Sequence, residues 1–165
     1  MSFNRSFIGF VILVLASMSG CVCTPPAEED VVRTVAVWDL DSYNQPGTVG
    51  SDLGELLAAK IIETLKDSGS YEVVERERLL AVLEELNLGA SLIVDESTRL
   101  NIGKIIGARC MVFGSYFVVA DTMRLDLRLV EVETGSILKA AQKTASAVNV
   151  SEWLNIAREA ALELI

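Results

Sequence analysis

A mixed α/β fold, one sheet with helices packed on it, follows from three features of this chain. Residues 33–107 alternate short β-branched runs with helical repeats. The last third then carries three strand-like runs separated by two short turns, an antiparallel meander. An amphipathic segment closes the chain. The expected order is β-α-β-α-α-β-β-β-α.

"RTVAVWDLD", Arg33 to Asp41, is a strand by its β-branched and aromatic content, and "SYNQPGTVG" after it is a loop. "SDLGELLAAKIIETLKDSG" is a helix, with Leu53, Leu56, Leu57, Ile61 and Leu65 at helical spacing, Asp52 and Glu55 as an N-terminal cap pair, and Gly69 at its C′ position. "YEVVER" is a short strand, and the first β-α-β unit should be a parallel crossover. "RERLLAVLEELNLG" is a second helix, with Leu79, Leu80, Leu83 and Leu86 on one side and Gly89 near its end. "DESTRLNIGKIIGA" is a third, capped by Asp95, with Gly107 past its end.

"RCMVFGSYFVV" is a strand and "AD" a tight connection. In "TMRLDLRLVEV", Met123, Leu125, Leu127 and Leu129 alternate with Arg124, Asp126 and Arg128, so one face is buried and the other meets water. "ETG" turns the chain into the strand "SILKAAQKTAS". "SEWLNIAREAALELI" is a helix capped by Ser151, with Leu154, Ala157, Ala161 and Leu164 inward. Trp38 and Trp153 read as core or core-edge residues.

The N-terminus carries a different signal. Arg5 precedes the apolar run "FIGFVILVLA", which is long enough for a secretory h-region and short for a membrane span of about 20 residues. Met18-Ser19-Gly20-Cys21 resembles a bacterial lipobox, with methionine where leucine is commoner. That resemblance implies a signal peptide over residues 1–20 and lipidation of Cys21. Val22, in place of aspartate, resembles the pattern of lipoproteins sent to the outer membrane, facing the periplasm. Cys23 is too near Cys21 for an ordinary disulfide and lacks the two-residue spacer of zinc and redox motifs, which leaves a free thiol. "TPPAEED" is an extended tether, so residues 21–32 are read as anchor and tether and 33–165 as the domain.

Loss of Arg5 takes the net charge from −9 to −10, which excludes nucleic acid as a partner. The chain has no histidine, and no nucleophile setting is recognisable, so no catalytic residue, metal or cofactor is expected. Gly47, Gly50 and Gly54 fit neither phosphate-loop pattern. Asp39 and Asp41, two apart at a strand end, point to the same side and are weak candidates for a ligand or cation. The runs Glu75–Arg78 and Glu84–Glu85 read as a solvated face with local ion pairs. Cys110, in an apolar run, is a buried thiol.

"VAVWDLD", "LKDSGSYEVVERERLLAVLEELNLG", "IGKIIGARCMVFGSY" and "RLDLRLVEVETGSIL" together resemble the curli secretion-channel (CsgG) family and the related FlgO-type and synthase-activator lipoproteins. The resemblance implies a non-catalytic envelope lipoprotein acting through protein partners in secretion or appendage assembly. It also raises a subunit of an oligomeric export channel or a cell-wall-synthase activator, and self-association. The family's channel members insert two long hairpins. The connections Val119–Thr122 and Thr144–Val150 are too short for strands of about 9–11 residues each, so the pore is expected to be missing.

Overall fold

The computed structural model describes residues 33–43, 51–86, 95–146 and 149–165. The chain divides into two compact units, Met1–Val31 and Val32–Ile165, and all described residues belong to the second. The lipobox, Cys23, the tether, Gly47, Gly50 and Gly89 lie outside them.

The order is β1 (Arg33–Val37), β2 (Asp41–Ser42), α1 (Ser51–Ser68), β3 (Tyr71–Val73), α2 (Arg76–Glu85), α3 (Glu96–Ile105), β4 (Cys110–Val119), β5 (Thr122–Glu131), β6 (Ile137–Ser146) and α4 (Val150–Leu162). Except for the two-residue β2, this is the expected order. The sheet runs β3-β1-β4-β5-β6, with β2 paired to β4 beside β1. β1 is parallel to β3 and β4, while β4–β5 and β5–β6 are antiparallel. The meander is therefore present, its first turn made by Ala120 (φ 49°) and Asp121 and its second by the loop 132–136, in which Gly135 has φ 71°.

Strand alternation sends two sets of side chains to opposite faces. Val35, Val37, Cys110, Val112, Met123, Leu125, Leu127 and Leu129 pack against Leu57, Ile61 and Leu65 of α1 and Ala157, Ala160 and Ala161 of α4. Ala36, Trp38, Met111 and Phe113 pack against Leu79 and Leu83 of α2 and Ile102 of α3. Both faces of the parallel half are thus covered by helices, as parallel strands require. Trp38 is buried, and Trp153 is half-buried with its indole N–H donating to the Ser146 carbonyl at 3.2 Å.

The helix ends follow the residues that stop them. Gly69 and Gly107 both have positive φ, and Asp95 accepts the Thr98 amide at 2.8 Å. Four expectations need correction. Leu56, Leu80 and Leu86 are substantially exposed, because each helix buries a narrower stripe than its leucines span. Asp52 lies inside the first turn of α1, and Glu55 pairs with Arg76. Asn149, not Ser151, caps α4; its side chain accepts the Ser151 amide at 2.9 Å. Residues 38–40, expected as continuous strand, leave the strand conformation between β1 and β2.

That interruption has a packing cause. Leu40 turns inward, only 2% exposed. It sits between two glycines: a Cβ at Gly114 would lie 3.0 Å from the Leu40 Cγ, and one at Gly54 would lie 2.3 Å from the Leu40 carbonyl oxygen. Glycine in a helix interior ordinarily costs about 1 kcal/mol relative to alanine. Here it admits the strand linker onto α1. Gly54→Ala should therefore lower the unfolding free energy by about 1–3 kcal/mol in urea titrations, as overpacking does; the gain seen at an ordinary helix position would contradict this packing.

Candidate functional site

The helices do not cover the sheet evenly. Beyond α2 and α3, the face of β4–β5–β6 opposite α1 and α4 is open. Register places Phe113 opposite Arg128, Ser115 opposite Asp126 and Phe117 opposite Arg124. β6 continues these rows with Ala140, Gln142 and Thr144, all exposed.

Each arginine here lies over a ring and is held by an acid. Arg99 stacks on Trp38 at 5.1 Å, Arg124 on Phe117 at 5.9 Å and Arg128 on Phe113 at 5.8 Å. Arg99 grips Asp41 through two bonds, of 2.8 and 3.2 Å. Arg124 donates to Asp126 at 2.7 and 2.8 Å, and this carboxylate raises the pKa of the guanidinium. Arg128 donates to Glu96 at 2.8 Å. The face is amphiphilic, with its charges balanced locally.

A concavity of about 700 Å³ opens there, lined by Asp41, Tyr43, Ser115, Asp126, Arg128 and Gln142 among others. A second, of about 630 Å³, shares Tyr43, Ser115 and Asp126 and runs on to Phe117 and Arg124. Tyr43 is 73% exposed at the rim of both.

Asp39 and Asp41 diverge to two helices. Asp39 receives both guanidinium nitrogens of Arg76, the second at 3.0 Å, and the bonded carboxylate raises the Arg76 pKa. Asp41 belongs to the open face through Arg99. A cation at either carboxylate would have to displace a guanidinium. No group of three metal-ligating side chains occurs among the described residues. The run Glu75–Arg78 pairs at long range, Glu75 with Lys66 and Arg76 with Asp39 and Glu55, in place of the expected local pairs. Glu84 and Glu85 are exposed. Cys110 is buried, and burial pushes its thiol pKa up, away from the thiolate form that reacts. The sequence shows Arg124, Asp126 and Arg128 as the polar side of β5 but not the rings beneath the arginines: the β4–β5 register brings Phe113 to Arg128 and Phe117 to Arg124, and α3 brings Arg99 to Trp38.

The fold and this face define a compact α/β platform with a preformed amphiphilic surface. A family model described as curli production assembly/transport component CsgG matches residues 22–120, more than half of the chain, and the chain belongs to that family. Its β4–β5 hairpin closes over Ala120 and Asp121 alone. Among solved structures, the LpoB C-terminal domain from Salmonella enterica is similar at TM-score 0.57 and 17% identity, over 68% of this chain and 82% of that one. The PelC dodecamer from Paraburkholderia phytofirmans gives 0.54 and 14%, over 80% and 88%. Lipoprotein GNA1162 from Neisseria meningitidis gives 0.54 and 16%, over 80% and 96%. At these identities the likeness is one of fold. None of the curated proteins matches.

Arg99 is the most buried cation of the face, at 8% exposure. Arg99→Lys keeps the charge but loses the two-pronged grip on Asp41 and the planar stack on Trp38. It should cost about 2 kcal/mol of unfolding free energy, the scale of hydrogen bonds to charged groups. A change below about 0.5 kcal/mol, the size expected of an ordinary surface substitution, would show that the stack and the paired bonds contribute little.

Proposed function

We propose that this chain is a lipid-anchored, non-catalytic envelope lipoprotein that works by binding protein partners through the open face of β4–β6. Cys21 carries the lipid, residues 1–20 are the signal peptide, 21–32 the anchor and tether, and the domain from 33 onward faces the periplasm from the outer membrane. The observation that carries the binding role is the row of stacked, paired arginines beside exposed Tyr43 and Gln142. Aromatic and arginine side chains dominate the energetics of protein interfaces, and prepaired charges remove an ordering cost on binding. Membership of the curli assembly family supports a place in secretion or surface-appendage assembly. The fold shared with LpoB supports the alternative of activating a cell-wall synthase.

A second reading, a subunit of a ring, is favoured by β6, a ten-residue strand at the sheet edge, and by the dodecameric state of PelC. A strictly monomeric detergent-solubilised protein in light scattering contradicts that second reading.

Two measurements in cells test the first. An alkyne fatty acid should label the wild type and not Cys21→Ala; equal labelling of both ends the anchor. A photo-crosslinking residue in place of Gln142 should give discrete adducts that Arg124→Glu abolishes, whereas the same probe in place of Glu63, on the outer side of α1, should give none. Adducts of equal strength from both positions contradict the assignment to the open face.

A further inference from the structure

The domain is polarised along its strands. β1, β3, β4 and β6 all start at one end, and β5 finishes there. α1 stops two residues before β3, and α3 stops shortly before β4. The Tyr71 hydroxyl at the start of β3 donates to the Leu164 carbonyl at 2.8 Å, which brings the end of α4 to the same place. Arg33 opens β1 at this end, so the segment read as the tether joins the domain here.

This end exposes aliphatic side chains next to cations. Ile105 (56% exposed), Ile137 (57%), Leu138 (38%) and Leu162 (46%) lie at the ends of α3, β6 and α4. Arg33, Lys104 and Arg109 line a concavity of about 480 Å³ here with Glu131 and Glu133, and Lys139 stands nearby on β6. Among the described residues, none of these four cations forms an ion pair, whereas Arg76, Arg99, Arg124 and Arg128 all do. Arg78 and Arg158 are also without an ion pair, but they lie along helices away from this end. Lys104 complements the C-terminal dipole of α3, an explanation that does not extend to Arg33, Arg109 or Lys139.

We propose that this end of the domain rests on the phospholipid headgroup layer, with the four apolar side chains entering the interface and Arg33, Lys104, Arg109 and Lys139 meeting lipid phosphates. The inference rests on the anchor at Cys21. Arg33 lies twelve positions after Cys21. Fully extended, this stretch spans about 40 Å, so this end always stays near the bilayer. Exposed aliphatic residues interleaved with cations are what an interfacial surface presents. The net charge, −10 once Arg5 is lost from the −9 of the full chain, opposes approach at long range, but beyond a Debye length of roughly 8 Å it is screened, and contact is decided by the local cations. The β4–β5 turn stands one ten-residue strand away, about 33 Å further from the lipid, which leaves the upper part of the open face clear for partners.

The test uses the full acylated chain with Cys23→Ser, incorporated into phosphatidylethanolamine–phosphatidylglycerol vesicles carrying a doxyl-lipid quencher. A fluorophore is attached in turn at Leu138→Cys and at Val119→Cys, on the far end. Several-fold stronger quenching at position 138 is expected, reduced toward the level at 119 by the combined Arg33→Gln, Lys104→Gln, Arg109→Gln and Lys139→Gln variant, whose fold is checked by circular dichroism. Equal quenching at both positions in protein that floats with the vesicles overturns the docking and leaves the anchor intact. Protein left behind when the vesicles float overturns the anchor, and the docking with it. Shielding at 138 that rises with protein density and ignores the quencher assigns the patch to a second copy and likewise overturns the proposal.

Discussion

β4 is the constraint on which the molecule depends. Its ten residues pair with β5 along their whole length on one edge, and with β1 and then β2 on the other. Alternate residues enter opposite cores: Cys110, Val112 and Tyr116 join the one under α1 and α4, while Met111 and Phe113 join the one under α2 and α3. A slip of one residue would exchange both sets at once, so register here is held by two cores together. Small residues let the layers close. A Cβ at Gly103 of α3 would lie 2.6 Å from the Met111 sulfur, and one at Gly114 would lie 2.5 Å from a Leu127 methyl carbon.

The same strand creates the open face. β1 meets β4 only at Cys110–Val112, and α2 and α3 cover that region. Further along, β4 and β5 run on as a two-sided ribbon whose inner side is held by α1 and α4. The outer side has no helix packed over it there, and the sequence fills it with arginines whose guanidinium carbons sit over aromatic rings and which reach nearby acids. A charged row of this kind tolerates water, keeps its side chains ordered and still offers apolar area to a partner. Facing lipid, the same charges would be costly.

Much of this was legible locally. The alternation of Met123, Leu125, Leu127 and Leu129 specified which side of β5 is buried, and Asp95, Gly69 and Gly107 marked helix ends because caps and positive φ act within one turn. Other features depend on residues distant in the chain. Asp39 and Arg76 are 37 positions apart, and Asp41 and Arg99 are 58 apart, so no periodicity relates them. Leu80 and Leu86 share a helical stripe with Leu79 and Leu83, but the width of the groove that receives the stripe is a property of the assembled sheet. Asn149 and Ser151 are both competent caps by residue type, and local sequence does not choose between them; the structure uses Asn149. The candidate site was half legible: its charges showed as the polar half of β5, while its stacked rings required the pairing of β4 with β5.

The central claim is that the open face is a rigid platform because its strands are also the core strands. Amide hydrogen exchange followed by NMR tests it most directly. The amides of Met111–Phe117 and Leu125–Leu129 that bond between strands should exchange only through global unfolding, with protection matching the unfolding free energy from denaturant titration. Exchange of those amides at rates typical of surface loops, in protein that is otherwise folded, would contradict it.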